Sequence, residues 1–175
     1  MKVTVLVGSP RKGGNTELMV DEFVKGAKEV GHEVEKILLA DKNVGGCKAC
    51  EYCFAHDGEC VQKDDMTEII KKLDETDCLV LASPIYWFNV TAQIKAVIDR
   101  LYARASKGYN ISCAAMLLDS TSDNVYGAAE KMFEDLTGFL KWENKGVIKA
   151  PGMAKKGSML ESPKMKEAYD MGRNL

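Results

Sequence analysis

Short apolar runs alternate with amphipathic stretches along the chain. Residues 3–7, 78–82 and 111–118 are almost wholly apolar, as expected for strands that are buried on both faces. Residues 33–39 predict a further strand, second in chain order, and residues 147–148 indicate a fifth. The hydrophobic pattern therefore predicts five short strands.

Between these strands, apolar residues recur at the spacing of a helix. From Asn15 onward they lie on one face of a helix that Gly31 ends. Amphipathic helices are also predicted near residues 66–73, 94–105 and 129–140, and a final helix within residues 151–175. Each of the first four helices stands between two strands of the series.

This alternation predicts a parallel sheet, because parallel strands need a long crossover connection that is usually helical. We expect an α/β fold with a doubly wound, five-stranded parallel sheet, helices on both faces, and one domain over residues 1–175. In such sheets, ligands bind beyond the carboxyl ends of the strands. The loops after strands one, three and four are therefore the places to look for a site.

The composition narrows the class of protein. Hydrophobic residues make up 46% of the chain and charged residues 29%, which is typical of a globular protein. No apolar run approaches the roughly 18 residues of a membrane-spanning helix, and the N-terminus is not typical of a signal peptide, so we expect a cytoplasmic protein. The 24 basic and 26 acidic residues form no long block of one sign, which favours neither nucleic acid nor a membrane as partner.

The loop after the first strand, residues 8–16, is rich in glycine, hydroxyl, amide and basic residues. Glycines let backbone amides approach an anion, and the N-terminus of the following helix adds partial positive charge. The loop lacks the spacing of a nucleotide triphosphate loop and of a dinucleotide fingerprint, so it favours a phosphate monoester. The alternative is a plain turn with a helix cap.

The residues of this loop also carry a family resemblance. Gly8, Ser9, Arg11, Asn15 and Thr16 match the Gly-Ser-x-Arg-x-x-x-Asn-Thr pattern, which resembles the NADPH-dependent FMN reductase branch of the flavodoxin-like superfamily. The resemblance implies a flavodoxin-like sheet with strand order 2-1-3-4-5. It also implies that Ser9, Arg11, Asn15 and Thr16 bind the phosphate of FMN.

The loop after the third strand places three consecutive aromatic residues where the ligand crevice is expected. A planar ring could pack there, although an aromatic plug over the core is the alternative. Ser-Pro-x-Tyr, followed by residues 91–95 and 98–100, resembles the second signature of the same reductases. The resemblance implies that this loop contacts the flavin ring through Pro84, Ile85, Tyr86, Trp87 and Phe88.

The loop after the fourth strand is polar and begins Asp-Ser-Thr-Ser-Asp. Its position after a central strand predicts a third cofactor contact, made by Asp119, Ser120 and Ser122. A helix N-cap is an equally good interpretation of any one of these residues.

Four of the six cysteines are crowded into one loop, at Cys47, Cys50, Cys53 and Cys60. Thiolates at repeated two-residue gaps suit a [4Fe-4S] cluster. Structural zinc, with His56 as a further ligand, and free thiols are the alternatives. The loop resembles that of iron-sulfur flavoproteins, which implies a cluster next to FMN. The other two cysteines fall within apolar strands and are expected to be inert core residues.

Together these features predict an FMN-dependent oxidoreductase in which the flavin does the chemistry, so no catalytic triad is expected. NAD(P)H is the expected electron donor in the absence of a cluster, and a ferredoxin-type or small-molecule redox partner in its presence. The resemblance further implies a homodimer or homotetramer. The alternatives are an electron carrier or cysteine-based redox sensor without turnover, and a nucleotide-binding regulator without flavin.

Overall fold

Five parallel strands form the centre of the structure, a computed structural model that describes residues 1–175. The strand order is β2-β1-β3-β4-β5 with every pairing parallel, which confirms the predicted fold class. The strands are β1 (Lys2–Val7), β2 (Glu33–Leu38), β3 (Cys78–Pro84), β4 (Cys113–Asp119) and β5 (Glu143–Ala150).

Helices cover both faces of this sheet. They are α1 (Asn15–Glu29), α2 (Tyr52–Ala55), α3 (Met66–Asp74), α4 (Ala92–Arg100), α5 (Gly127–Leu140) and α6 (Lys164–Arg173). Three short 3-10 turns supplement them, at Leu39–Asp41, Leu101–Arg104 and Ser158–Glu161. No helix combines the length and the apolar character needed to cross a membrane.

Alternate residues of each central strand enter two separate cores, as the two-residue period of a strand requires. Leu79 and Leu81 of β3 face a core that α3, α4 and α5 cover. Val80, between them, faces the opposite core, which α1 and α6 cover. Burial on both faces explains why these strands are continuous apolar runs in the sequence.

The C-terminal helix α6 packs directly on α1 through small residues. A Cβ atom on Gly26 would lie 2.1 Å from the carbonyl oxygen of Tyr169, and one on Gly172 would lie 2.1 Å from that of Phe23. Only glycine permits so close an approach of two helix backbones. This contact holds the tail of the chain beside the start of the sheet.

The bounds of several predicted elements differ in the structure; β4 begins at Cys113 rather than at residue 111, and β5 extends beyond residues 147–148 to Glu143–Ala150. The helix predicted over residues 94–105 is α-helical only to Arg100 and then tightens into the 3-10 turn. The third strand continues two residues further, to Pro84, and Asp119 is the last residue of β4 rather than part of a loop. The description of residues 1–175 as one domain stays a prediction.

Candidate cofactor pocket and cysteine loop

A pocket opens at the carboxyl edge of the sheet, where the loops after β1, β3 and β4 meet. Its enclosed part has a volume of about 150 Å³, which suits a phosphate and the start of its chain, so a larger ligand must extend over the open surface. The walls consist of Ser9, Arg11, Gly14, Asn15, Thr16, Pro84, Ile85, Tyr86, Asp119, Ser120, Thr121, Met153, Ala154 and Lys156.

The first loop is held against α4 by a close contact at Gly8. Its amide donates to Ala82 O at 2.8 Å, and its carbonyl accepts from Thr91 Oγ1 at 2.8 Å. The amide of Thr91 in turn donates to Ser83 Oγ at 2.9 Å. A Cβ atom on Gly8 would lie 2.2 Å from Ile94 Cγ1, so the contact requires glycine.

Helix α1 begins without a side-chain cap. Gly14 occupies the N-cap position in extended conformation and makes no capping hydrogen bond. The amides of the first turn, which have no partner within a helix, are therefore available to an anion, and the helix dipole favours negative charge there. Ser9 Oγ is close by, where it accepts a hydrogen bond from the amide of Arg11 at 3.2 Å.

Two of the residues that the resemblance assigns to the phosphate direct their side chains elsewhere. Asn15 donates to Met153 O at 3.1 Å and to Lys155 O at 2.8 Å. Thr16 Oγ1 donates to Asp119 Oδ1 across the floor of the pocket. Both residues line the pocket, but in this structure their side chains fix neighbouring segments.

Asp119 is a buried acid at the end of β4, only 5% exposed. Burial raises the pKa of its carboxyl to about 6, and the hydrogen bond from Thr16 limits the rise. Its carbonyl accepts from the amide of Ile85 at 2.8 Å. Asp119 thus joins three pocket segments, and its negative charge opposes a bound anion unless cations compensate.

The aromatic residues after β3 form the tip of a tight hairpin rather than a flat slot. Tyr86 and Asn89 pair through two backbone hydrogen bonds of 2.9 and 3.2 Å. Trp87 and Phe88, between them, have φ angles of 48° and 68°, in the left-handed region that non-glycine residues disfavour. Trp87 is 93% exposed, and of the three aromatics only Tyr86 lines the pocket.

The loop after β4 contributes Ser120 and Thr121 to the pocket wall, while Ser122 stands outside it. The amide of Ser120 donates to Ala150 O at 2.9 Å, and its hydroxyl accepts from the amide of Ser122 at 3.2 Å. Neither Asp119 nor Ser120 caps α5, because the N-cap residue of that helix is Tyr126. This loop therefore faces the pocket rather than a helix.

The structure brings together most of the predicted cofactor contacts. The pocket is lined by Ser9, Arg11, Asn15, Thr16, Pro84, Ile85, Tyr86, Asp119 and Ser120, whereas Trp87, Phe88 and Ser122 lie outside its walls. Sequence reasoning missed the segment after β5, which adds Met153, Ala154 and Lys156. The rule that selected the other loops would have found it, because this segment also follows the carboxyl end of a strand.

The cysteine loop lies between β2 and α3. Cys47, Cys50, Cys53 and Cys60 all line one small cavity. The thiols do not converge: no three His, Cys, Asp or Glu side chains in the chain stand close enough to hold a metal ion. The donor set suits a thiolate-bound centre, but the loop would have to close around it. His56 stacks on Tyr52, with ring centroids 3.6 Å apart, and does not line the cavity.

A buried arginine closes the base of this loop. Arg100 is 1% exposed and donates to Gly45 O at 2.9 Å and to both carboxylate oxygens of Asp64 at 2.8 and 3.1 Å. Although burial opposes the shift, Arg100 keeps the pKa of Asp64 below its ordinary value. These bonds, which we call the Arg100 clamp, join Gly45 and Asp64 at the two ends of the loop. The remaining cysteines, Cys78 and Cys113, are buried in neighbouring strands as predicted.

The fold and the pocket define an α/β protein with a flavodoxin-like sheet and a polar cleft at the carboxyl edge of that sheet. Comparison with known families places the chain more closely: the model of the NADPH-dependent FMN reductase family matches residues 1–142. The chain belongs to that family, as the motifs in the loops after the first and third strands indicated.

Its relatives include iron-sulfur flavoproteins. One from Archaeoglobus fulgidus is 46% identical over 101 residues, which are 58% of this chain and 46% of that protein. Another, from Methanosarcina thermophila, is 35% identical over 136 residues, covering 78% of this chain and 71% of that protein. The match thus spans about half the length of the first relative.

A solved structure with the same fold is the NAD(P)H:quinone oxidoreductase from Methanothermobacter marburgensis. It superimposes with a TM-score of 0.80 over 99% of this chain and 95% of that one, at 21% sequence identity. At this identity the likeness supports the fold alone.

Proposed function

We propose that this protein binds FMN in the pocket at the carboxyl edge of the sheet and works as an FMN-dependent oxidoreductase with NAD(P)H as electron donor. The observation that carries the proposal is the uncapped start of α1 at the floor of that pocket. In a member of the FMN reductase family, such a start suits the phosphate of the cofactor.

In this function the protein binds and orients, and FMN, when bound, supplies the hydride and one-electron chemistry. The amides of the first turn of α1 and the hydroxyl of Ser9 bind the phosphate. Arg11 is exposed, lines the pocket and has no carboxylate partner, so its charge is free to pair with that phosphate. Tyr86 and the backbone beside it stand at the pocket mouth and border the ring.

A direct test starts with the purified protein and its apoprotein. We expect a flavin absorption spectrum, saturable binding of FMN, and oxidation of NADH or NADPH with a quinone or free flavin as acceptor. Ser9→Asp should weaken FMN binding by about 100-fold or more, because it places a carboxylate beside the phosphate.

Ser106→Asp is the matched control, because Ser106 is exposed and outside the pocket. A protein that binds no FMN, or a Ser9→Asp variant that binds it as well as Ser106→Asp does, would contradict the proposal. Binding of FMN without NAD(P)H oxidation would instead favour an electron carrier or redox sensor.

The cysteine loop supports a second proposal, a [4Fe-4S] cluster held by Cys47, Cys50, Cys53 and Cys60. The observation that favours it is that all four thiols line the same cavity, in a chain related to proteins named iron-sulfur flavoproteins. When present, the cluster would pass single electrons between a ferredoxin-type partner and the flavin.

Metal analysis of anaerobically purified protein tests this second proposal. We expect iron and sulfide in amounts that match one four-iron cluster per chain. Cys53→Ala should lose the iron, while Cys113→Ala, a buried strand position, should retain it. Zinc in place of iron, or neither metal, would refute the cluster.

A further inference from the structure

The segment that follows β5 forms part of the wall of the cofactor pocket through Met153, Ala154 and Lys156, and we call residues 151–157 the strap. The side chain of Asn15 holds the strap near the centre of the segment. The Asn15 side-chain NH2 group donates to Met153 O and Lys155 O. Asn15 Oδ1 accepts from the amide of Gly157 at 2.9 Å and from that of Met159 at 3.3 Å. One buried side chain therefore uses its whole hydrogen-bonding capacity on the backbone of residues 153–159, that is, on the strap and the turn that follows it.

Further contacts tie the strap to both sides of the pocket. The amide of Met153 donates to Ser120 O at 2.9 Å, on the side of β4. On the other side, Lys156 Nζ donates to Lys12 O at 2.9 Å, and a Cβ atom on Gly13 would lie 3.7 Å from the same nitrogen. The ammonium group of Lys156 thus stands beside the loop that precedes α1.

The charges around the pocket distinguish Lys156 from its neighbours. Lys12 is paired with Asp41, whereas neither Arg11 nor Lys156 has a carboxylate partner and both line the pocket. The buried carboxylate of Asp119 on the floor adds negative charge as pH rises. An anion in this pocket therefore needs cations from its rim, and Lys156 is one of two that are free to supply charge.

We propose that Lys156 binds the phosphate of the flavin nucleotide and that Asn15 is a positioning residue that holds the strap, and with it Lys156, at the wall of the pocket. The proposal rests on the proposed function, because it takes FMN as the ligand. The strap lies beyond residue 142, where the match to the family ends, so the family pattern does not assign this contact.

Paired titrations of apoprotein with FMN and riboflavin test the role of Lys156. These two ligands share the ring and ribityl chain and differ in the phosphate. Lys156→Ala should weaken FMN binding by about tenfold and leave riboflavin binding unchanged. Rising salt should reduce the difference between wild type and variant, because the contact is exposed.

Lys155→Ala is the matched control, since Lys155 is the adjacent exposed lysine and its side chain is not part of the pocket wall. The proposal is overturned if Lys156→Ala binds FMN as tightly as Lys155→Ala, or if FMN and riboflavin affinities fall together. If wild-type protein binds no FMN, the proposed function fails. If wild type binds FMN but Lys156→Ala binds it equally well, only the role of Lys156 fails.

The positioning role of Asn15 has its own readout. Asn15→Leu has a similar volume, introduces no charge and loses every side-chain bond to residues 153–159, so Lys156 should no longer be held in place. We expect the preference for FMN over riboflavin to fall in this variant, and Lys156→Ala to cause little further loss in the same background. Full additivity of the two changes would refute the coupling.

Discussion

The cofactor pocket and the cysteine loop differ in how far the protein builds each site without its ligand. Hydrogen bonds from four separate segments fix the pocket, and its central residues Asn15 and Thr16 are buried. In the cysteine loop, Cys47 and Cys50 are exposed, and the four thiols do not converge.

This difference teaches that the two sites follow different routes to binding. A pocket that is already formed costs little ordering on binding, so affinity depends on its polar contacts. A loop whose donors must first converge couples its own order to the bound group, as many metal sites do. We therefore expect the cysteine loop to be the more mobile region until its centre is bound, while the pocket keeps its shape.

The largest effect should come from Arg100→Ala, which removes the clamp at the base of the cysteine loop. The change leaves the carboxylate of Asp64, which is 12% exposed, without its partner. Loss of one partner from a buried ion pair costs about 3–5 kcal/mol. Urea denaturation should show this loss, and hydrogen exchange should show residues 45–64 opening.

FMN affinity of the folded Arg100→Ala protein should stay unchanged, because Arg100 does not line the pocket. Lys107→Ala serves as control, since its pair with Asp57 is exposed to solvent and is expected to contribute little to stability. A parallel fall in FMN affinity would show that the two sites are not independent.

The next largest effect is expected from Gly8→Ala, which disturbs the packing of the first pocket loop instead of the cysteine loop. The new Cβ atom would lie 2.2 Å from Ile94 Cγ1 and 2.7 Å from Thr91 Oγ1, so the first loop must move away from α4. Overpacking of this kind costs about 1–3 kcal/mol. FMN titration should also show weaker binding.

Gly46→Ala is the matched change in the cysteine loop, where a Cβ atom would meet nothing within 4 Å. It should alter neither unfolding free energy nor FMN affinity. Equal effects of the two alanines would mean that the pocket is no more tightly built than the loop.

The sequence predicted the fold well because its signals are local and strong. The central strands are buried on both faces, so Leu79 to Leu81 had to be a continuous apolar run. The strap was missed because its side chains carry little signal, and its place depends on bonds between Asn15 and residues about 140 positions away. The outward position of Trp87 was missed because residue type does not reveal a left-handed backbone.

Asp119→Asn tests how the buried carboxylate in the pocket affects the pH dependence of protein stability. The folded-state pKa of about 6 lies above the ordinary value of 3.8, so the folded protein holds this proton in a window where the unfolded chain has lost it. Asp119 thus lowers stability as pH rises from about 4 to 6. The asparagine variant should therefore be more stable at pH 7.5, by up to about 3 kcal/mol, and equal to wild type near pH 4.

Denaturation curves of wild type and Asp119→Asn at the two pH values measure this difference. Asp123→Asn, an exposed position in the same loop, keeps Asp119 and should therefore match wild type at both pH values. A variant that is less stable than wild type at pH 7.5 would indicate that the carboxylate is needed for the bond with Thr16.

The smallest effect should come from the hairpin tip at the rim of the pocket. Replacing Trp87 by Asn and Phe88 by Gly supplies the residues that a turn with two left-handed positions prefers. The φ angles of 48° and 68° then cost less, and unfolding free energy should rise by about 1 kcal/mol. Phe139→Ala, which removes an aromatic that is 80% exposed on α5, controls for the loss of an exposed ring without any change in backbone strain.

The FMN affinity of the variant with Asn at 87 and Gly at 88 shows whether the two aromatic residues contribute to ligand binding. If stability rises while FMN binding weakens, the strained aromatics contribute to ligand binding at a cost to the fold, as strained residues at functional sites do. The pocket would then be preformed at its floor and adaptable at its rim, where Trp87 stands 93% exposed. If stability falls instead, the two rings support the hairpin itself, and the rim is as rigidly built as the floor.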